Sequence, residues 1–251
     1  MIYWLPALLL LAGCPVVLPA APDVVDPAAL FERARTEPSP PSSYATFSTV
    51  ITVGAQRLTA NGTLVVSPPD RFRVELRGPI GPAQVVVTCN GHDVRAYIAS
   101  ENTYYIAVDA DGALGRVLGA GEAVRGAAAA TSLLMGRLPA LDTVPALSAS
   151  GSVATATWTR ADGARLALGV DSRTAHLTDA TATDASGVLL FSGKWAPDAW
   201  PTALGVRLPS LGVAADLRFN EWKGASPTDA AFLLVPPQGS TVRDLTLSPP
   251  P

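Results

Sequence analysis

A mainly-β fold, with one curved antiparallel sheet and helices lying in or over its concave side, is what this sequence predicts. Three observations carry the prediction. Residues Arg71–Arg77 alternate strictly, with Phe72, Val74 and Leu76 against Arg73, Glu75 and Arg77, the pattern of an antiparallel strand with one dry and one wet face. About a dozen such short segments recur with turn residues between them, the spacing of a sandwich or barrel. A Gly- and Ala-rich stretch, Asp109–Pro145, divides them into two runs.

The first element is a helix. Asp26-Pro27 supplies an N-cap and a proline at the first helical position, and Leu30, Phe31 and Ala34 share a face until Pro38, Pro40 and Pro41 stop it near Arg35. From Tyr44 the period becomes two, with Ala45, Phe47, Ile51 and Val53 on one side. Strands follow at Arg57–Val66, Arg71–Arg77, Ala83–Cys89, Asp93–Ala99 and Thr103–Val108. Turns are expected at Asn61-Gly62, Ser67–Asp70, Gly78–Pro82 and Asn90-Gly91. In the insert, Leu114, Val117 and Leu118 mark a helical turn and Gly126–Arg137 a helix carrying Leu133, Leu134 and Met135. It is too apolar to lie free in water and must pack on the sheet. Strands resume at Ser152–Thr159, Arg165–Val170, Thr174–Thr181, Gly187–Lys194, Thr202–Leu208 and Val213–Asn220, with a last one at Ala231–Val235 before Pro236-Pro237-Gln238-Gly239.

Composition supports a substantial core: 48% of residues are hydrophobic and 16% charged. A net charge of −3 without a basic run carries no nucleic-acid signature. His92 and His176 are the two histidines and fit no catalytic triad; no cysteine–histidine cluster has zinc spacing, and no phosphate-binding glycine loop opens a helix. Asp109-Ala110-Asp111-Gly112 begins like a calcium loop but lacks the later ligands. Neither an enzyme nor a cofactor is expected. Cys89, in the apolar run Val85–Cys89, reads as a buried thiol.

The amino terminus points to export. Met1–Gly13 holds an apolar stretch shorter than the ~20 residues a spanning helix needs. It ends in Leu11-Ala12-Gly13-Cys14, a match to the bacterial lipobox, which makes Cys14 the expected lipidated first residue of the mature chain. No Lys or Arg precedes the apolar stretch, and an ordinary signal peptide cut elsewhere is the alternative. The expected organisation is a signal peptide over 1–13, the lipidated cysteine with a Pro-, Ala- and Val-rich tether over 14–25, and one domain over 26–251.

A lipobox, a β meander, a helical insert and a resumed meander together resemble the LolA/LolB superfamily of periplasmic lipoprotein carriers, in layout most nearly its lipid-anchored branch, LolB. Arg71–Pro82 (RFRVELRGPIGP) is similar to the strand and protruding Pro-aliphatic-Gly loop of that branch, Leu134–Pro139 (LMGRLP) to the end of the insert helix, and Asn220-Glu221-Trp222 to the close of a late strand. The tail Phe232–Leu247 looks more like the LolA-type ends.

The resemblance implies an unclosed antiparallel β-barrel with a helical lid or plug over an apolar cavity that accepts the acyl chains of lipoproteins. Its expected wall is Phe47, Ile51, Phe72, Val74, Leu76, Val85, Val87, Leu217 and Phe219, its lid Leu133, Leu134 and Met135, and its membrane or cargo-handover loop Pro79, Ile80 and Gly81. It further implies a monomer tethered to the periplasmic face of the outer membrane, since Pro15 rather than Asp follows Cys14. A LolA-like carrier is its expected partner, and lipoprotein acyl chains or lipid its expected ligand. Two other readings stay open: a lipid-anchored binding module for a phospholipid or glycolipid, and a structural envelope lipoprotein whose barrel is packed solid.

Overall fold

The computed structural model describes residues 26–38, 41–78, 83–110, 126–139, 144–159, 161, 163–195, 200–208 and 212–244. Cys14 and its tether, the Pro79-Ile80-Gly81 loop and the expected turn at Leu114–Leu118 lie outside them.

Helix α1 (Pro27–Thr36) forms as its sequence dictates. The Asp26 carboxylate accepts the Ala28 N–H at 3.0 Å, Pro27 opens the first turn, and the chain turns extended at Glu37. Its buried stripe of Leu30, Phe31 and Ala34 meets Ala154, Ala156, Val170 and Ala175. The strands are β1 (Ser43–Val53), β2 (Gln56–Ser67), β3 (Arg71–Arg77), β4 (Ala83–Asn90), β5 (Val94–Ile98) and β6 (Thr103–Ala107). After helix α2 (Gly126–Leu134) come β7 (Ala146–Ser150), β8 (Val153–Thr159), β9 (Arg165–Asp171) and β10 (Leu177–Thr183). The series closes with β11 (Leu189–Trp195), β12 (Pro201–Leu208), β13 (Val213–Gly224) and β14 (Thr241–Asp244).

These strands make one unclosed 14-stranded sheet in the order β14-β6-β5-β4-β3-β2-β1-β13-β12-β11-β10-β9-β8-β7. Every pairing is antiparallel except β14 with β6. The two meanders are joined where β1 pairs with β13, the first strand of one run against the last of the other. The sheet curls around α2: Ala127 and Ala130 pack against β1–β4, while Ala129 and Leu133 pack against β9–β12. Both helices thus lie on the same inner face.

Three details depart from the sequence expectation. Asn61-Gly62 is not a turn but lies inside β2, where Gly62 stands opposite Phe47 on one side and Leu76 on the other. The turn falls earlier, at Gly54, whose φ of +56° suits glycine. A Cβ at Gly62 would overlap the Phe47 ring, so this glycine is selected by what lies over it.

Ala146–Ser150 forms edge strand β7 although every residue in it is exposed, which is why it carries no alternation. Ala231–Val235, expected as a strand, is a 3₁₀ turn over Asp229–Phe232 followed by extended chain. This strap crosses the outer face of the β3–β6 half. There the Arg73 guanidinium donates to the Ala231 carbonyl at 3.1 Å, and Arg95 and the Tyr104 hydroxyl donate to the Leu234 carbonyl at 3.2 and 2.8 Å. Phe232 is buried, with the Arg71 guanidinium 5.0 Å from its ring centre, and the strap ends in β14. The wet face of β3 is a docking surface for the chain's own tail.

Candidate functional site

Register decides which residues share the inner face. Phe219, Phe47, Gly62, Leu76 and Val85 stand in one cross-strand row, and Trp222, Ala45, Leu64, Val74 and Val87 in the next. Phe72 faces Val66 and Cys89, Ile51 faces Ala215, and Leu217 faces Thr49. All nine residues expected as a wall therefore point to one side. Phe47 and Phe72 are buried, whereas Val74, Leu76, Val87, Leu217 and Phe219 are half-buried against the same core. Ile51 and Val85 are half-buried nearer the rim, outside that core. Beside Ile51, Leu58 stands 54% exposed, so the apolar face runs out to an open edge.

The three residues expected as a lid pack against this face. Leu133 and Met135 are buried, the first against the β9–β12 side and the second against β1–β4, while half-buried Leu134 touches both. Leu217 and Phe219 also belong to both groups, so the last turn of α2 plugs the seam where the meanders join. The Trp195 indole N–H donates to the Leu133 carbonyl at 3.2 Å, which ties the end of the helix to β11. That ring lies over Gly193, whose missing side chain makes room for it.

Sequence reasoning missed an aromatic cluster at the same seam. Phe47 and Phe219 have ring centres 5.7 Å apart, Phe219 and Trp222 5.0 Å, and Trp200 stacks on Trp222 at 4.7 Å. Strict alternation would send Phe219 and Trp222 to opposite faces. A β-bulge reverses this: Thr46 pairs with Glu221 and Phe47 with Phe219, leaving Asn220 as the extra residue. The indole N–H of Trp222 donates to the Pro201 carbonyl at 3.1 Å, so its polar edge is satisfied while its ring faces the cluster.

Polar groups are few on this face. The hydroxyls of Thr49 and Thr131 are buried with no hydrogen-bond partner among the described residues, each at a desolvation cost of about 1–3 kcal/mol. Cys89 is fully buried, and its thiol donates to the Asp70 carbonyl at 3.5 Å. His92 is exposed at the β4–β5 turn. A charged cluster joins the two helices: Glu37, just past α1, pairs with Arg137, just past α2, at 2.5 Å and with His176 at 3.1 Å. Burial disfavours the Glu37 carboxylate, but the hydrogen bonds and charges of Arg137 and His176 outweigh it and hold its pKa below the ordinary value.

Among solved structures, the chain is similar to a LolA superfamily protein from Nitrosomonas europaea, at 15% identity and a TM-score of 0.50, over 84% of this chain and 98% of that one. The fold is LolA-like. A DUF1329 family protein from Desulfovibrio piger shares it at 13% identity and a TM-score of 0.52, covering 83% of this chain and 95% of that one. No protein-family model matches the sequence, and no curated protein matches it either. On this LolA-like frame, the inner face just described occupies the concave side of the half-barrel, under α2.

Proposed function

We propose that this chain is a lipid-anchored carrier that receives the acyl chains of lipoproteins on its inner face and helps insert them in the outer membrane from the periplasmic side. The observation that carries the reading is the aliphatic strip of Val74, Leu76, Val85 and Val87, large apolar side chains on a concave face that the chain's own core leaves half-open. An acyl chain laid there gains ~0.8 kcal/mol per methylene, so a dozen methylenes contribute roughly 10 kcal/mol. In this reading Leu133, Leu134 and Met135 move aside to uncover Phe47, Phe72, Leu217 and Phe219 to the acyl chain. Such a carrier needs a wall and a lid and no reacting group.

In this reading Cys14 carries the anchor and residues 15–25 the tether. The loop of Pro79, Ile80 and Gly81 presents one large aliphatic side chain to the membrane or the cargo, and Ile51, with exposed Leu58, forms the entry rim. A LolA-like soluble protein is the donor. The test is a photocrosslinking residue at Leu134 or Leu76 in living cells, followed by identification of what is captured, together with depletion of the chain. Acylated lipoproteins are expected in the crosslinks, and lipoproteins should accumulate short of the outer membrane on depletion. Capture of free phospholipid alone, or an unchanged lipoprotein distribution, would overturn the proposal.

A further inference from the structure

The opposite face of the same strands holds a second feature. A trough of about 600 Å³ crosses the outer face of β2, β1, β13, β12 and β11. Its floor is low because the residues there are small: Ala203 and Gly205 on β12 are flanked by Ser192 on β11. Register places Arg218, Ala203 and Lys194 side by side on adjacent strands. The two cations thus straddle Ala203, separated by two strand spacings or about 10 Å. One residue-pair further along, Asp216 and Gly205 occupy the next outer row, and Arg57 faces in from β2.

On β3 and β5, basic side chains of the outer face are engaged by acids: Arg71 by Asp229, Arg73 and Arg77 by Glu75, and Arg95 by Asp93. The acid in the trough, Asp216, is held by Arg207 at 2.5 Å. Asp179, next to Lys194 on β10, accepts the Thr178 hydroxyl at 2.9 Å. Arg57, Lys194 and Arg218 have no ion-pair partner among the described residues. In a chain of net charge −3, three uncommitted cations around a hydroxyl-edged depression form an anion-complementary surface. A guanidinium fork and an ammonium on opposite sides of a small-residue floor suit a tetrahedral oxyanion that takes hydrogen bonds from several directions. The volume leaves room for a polyol attached to it.

We infer that this outer trough is a binding site for an organic phosphate, with Arg218 and Lys194 clasping the phosphate over Ala203 and Arg57 adding a third cation. The site is separate from the apolar inner face. A phospholipid headgroup and a soluble polyol phosphate share this chemistry, and the experiment separates them.

The full chain in neutral detergent micelles is titrated calorimetrically with glycerol 1-phosphate, and separately with dioctanoyl phosphatidylglycerol against dioctanoyl phosphatidylcholine. At least one phosphate probe should bind at low salt, with a tenfold or greater loss of affinity in R218A/K194A and a smaller loss in R57A. R243A, which removes a cation from β14 outside the trough, should leave binding unchanged. Saturable binding of glycerol 1-phosphate identifies a soluble ligand. Binding of phosphatidylglycerol alone, lost in the double variant and absent for phosphatidylcholine, identifies a headgroup. The inference is overturned if neither probe binds, if R218A/K194A binds as the parent does, or if R243A weakens binding as much.

Discussion

Replacing Gly62 by alanine probes the seam of the half-barrel with one methyl group. The backbone at Gly62 is outside the positive-φ region, so alanine is conformationally allowed and would by itself stabilise the chain by about 0.4–1 kcal/mol through the unfolded state. The new Cβ, however, falls on the ring of Phe47, which is buried, stands opposite Gly62 in the register and packs on Phe219. Overpacking of this kind costs about 1–3 kcal/mol. The clash dominates, and Gly62→Ala should lower stability by about 1–2 kcal/mol in urea unfolding with an unchanged m-value. Phe47→Leu vacates the space the methyl needs. The Gly62→Ala, Phe47→Leu pair should therefore be less destabilised than the sum of its singles, with a coupling of about 1 kcal/mol or more. A neutral or stabilising Gly62→Ala, or strict additivity with Phe47→Leu, would refute the argument that Phe47 selects this glycine.

Thr131→Val keeps the shape of a side chain on α2 while removing a buried hydroxyl without a partner; it should raise the unfolding free energy by about 1 kcal/mol and slow amide exchange across Gly126–Leu134. Glu37 has a pKa in the folded state below its ordinary value of about 4.5, so its contribution to stability is complete above that unfolded value and disappears as the pH falls through the lower folded value. Melting of the parent and Glu37→Gln should accordingly differ at pH 6 and converge in the acid range below 4.5, and an unchanging difference across that range would remove Glu37 from the link between the helices. Trp195→Phe deletes the indole N–H that reaches the Leu133 carbonyl; α2 should then exchange faster than the β1–β2 hairpin, as followed by hydrogen exchange, while β-sheet circular dichroism is retained.

Much of this architecture could be read residue by residue. Strand β3 begins and ends where its alternation does, and α1 is written by Asp26-Pro27 and by the spacing of Leu30, Phe31 and Ala34. The inward set of β1, β3, β4 and β13 follows from period two, and the apolar stripe of α2 from its composition. These are local properties. A strand's own side-chain period names its dry face, and a helix's cap and stripe name its ends and its buried side.

What the sequence did not reveal is what depends on a partner far along the chain. Asn61-Gly62 is a turn by composition, yet a long β1 opposite it and the Phe47 ring above it keep it in the strand. Asn220 carries no mark of a bulge, but pairing with β1 makes it one and turns Trp222 toward Phe219. Exposed β7 exists because β8 offers an edge, and the tail becomes a strap because Arg73, Arg95 and Tyr104 wait beneath it. By itself the sequence determined the fold class, the inward set of the main strands and the lid helix, because periodicity, capping and turn chemistry act within a few residues. The tertiary structure alone decided the joining of β1 to β13, the aromatic seam and the cationic trough. Each of these is a juxtaposition of strands that only the folded sheet brings together.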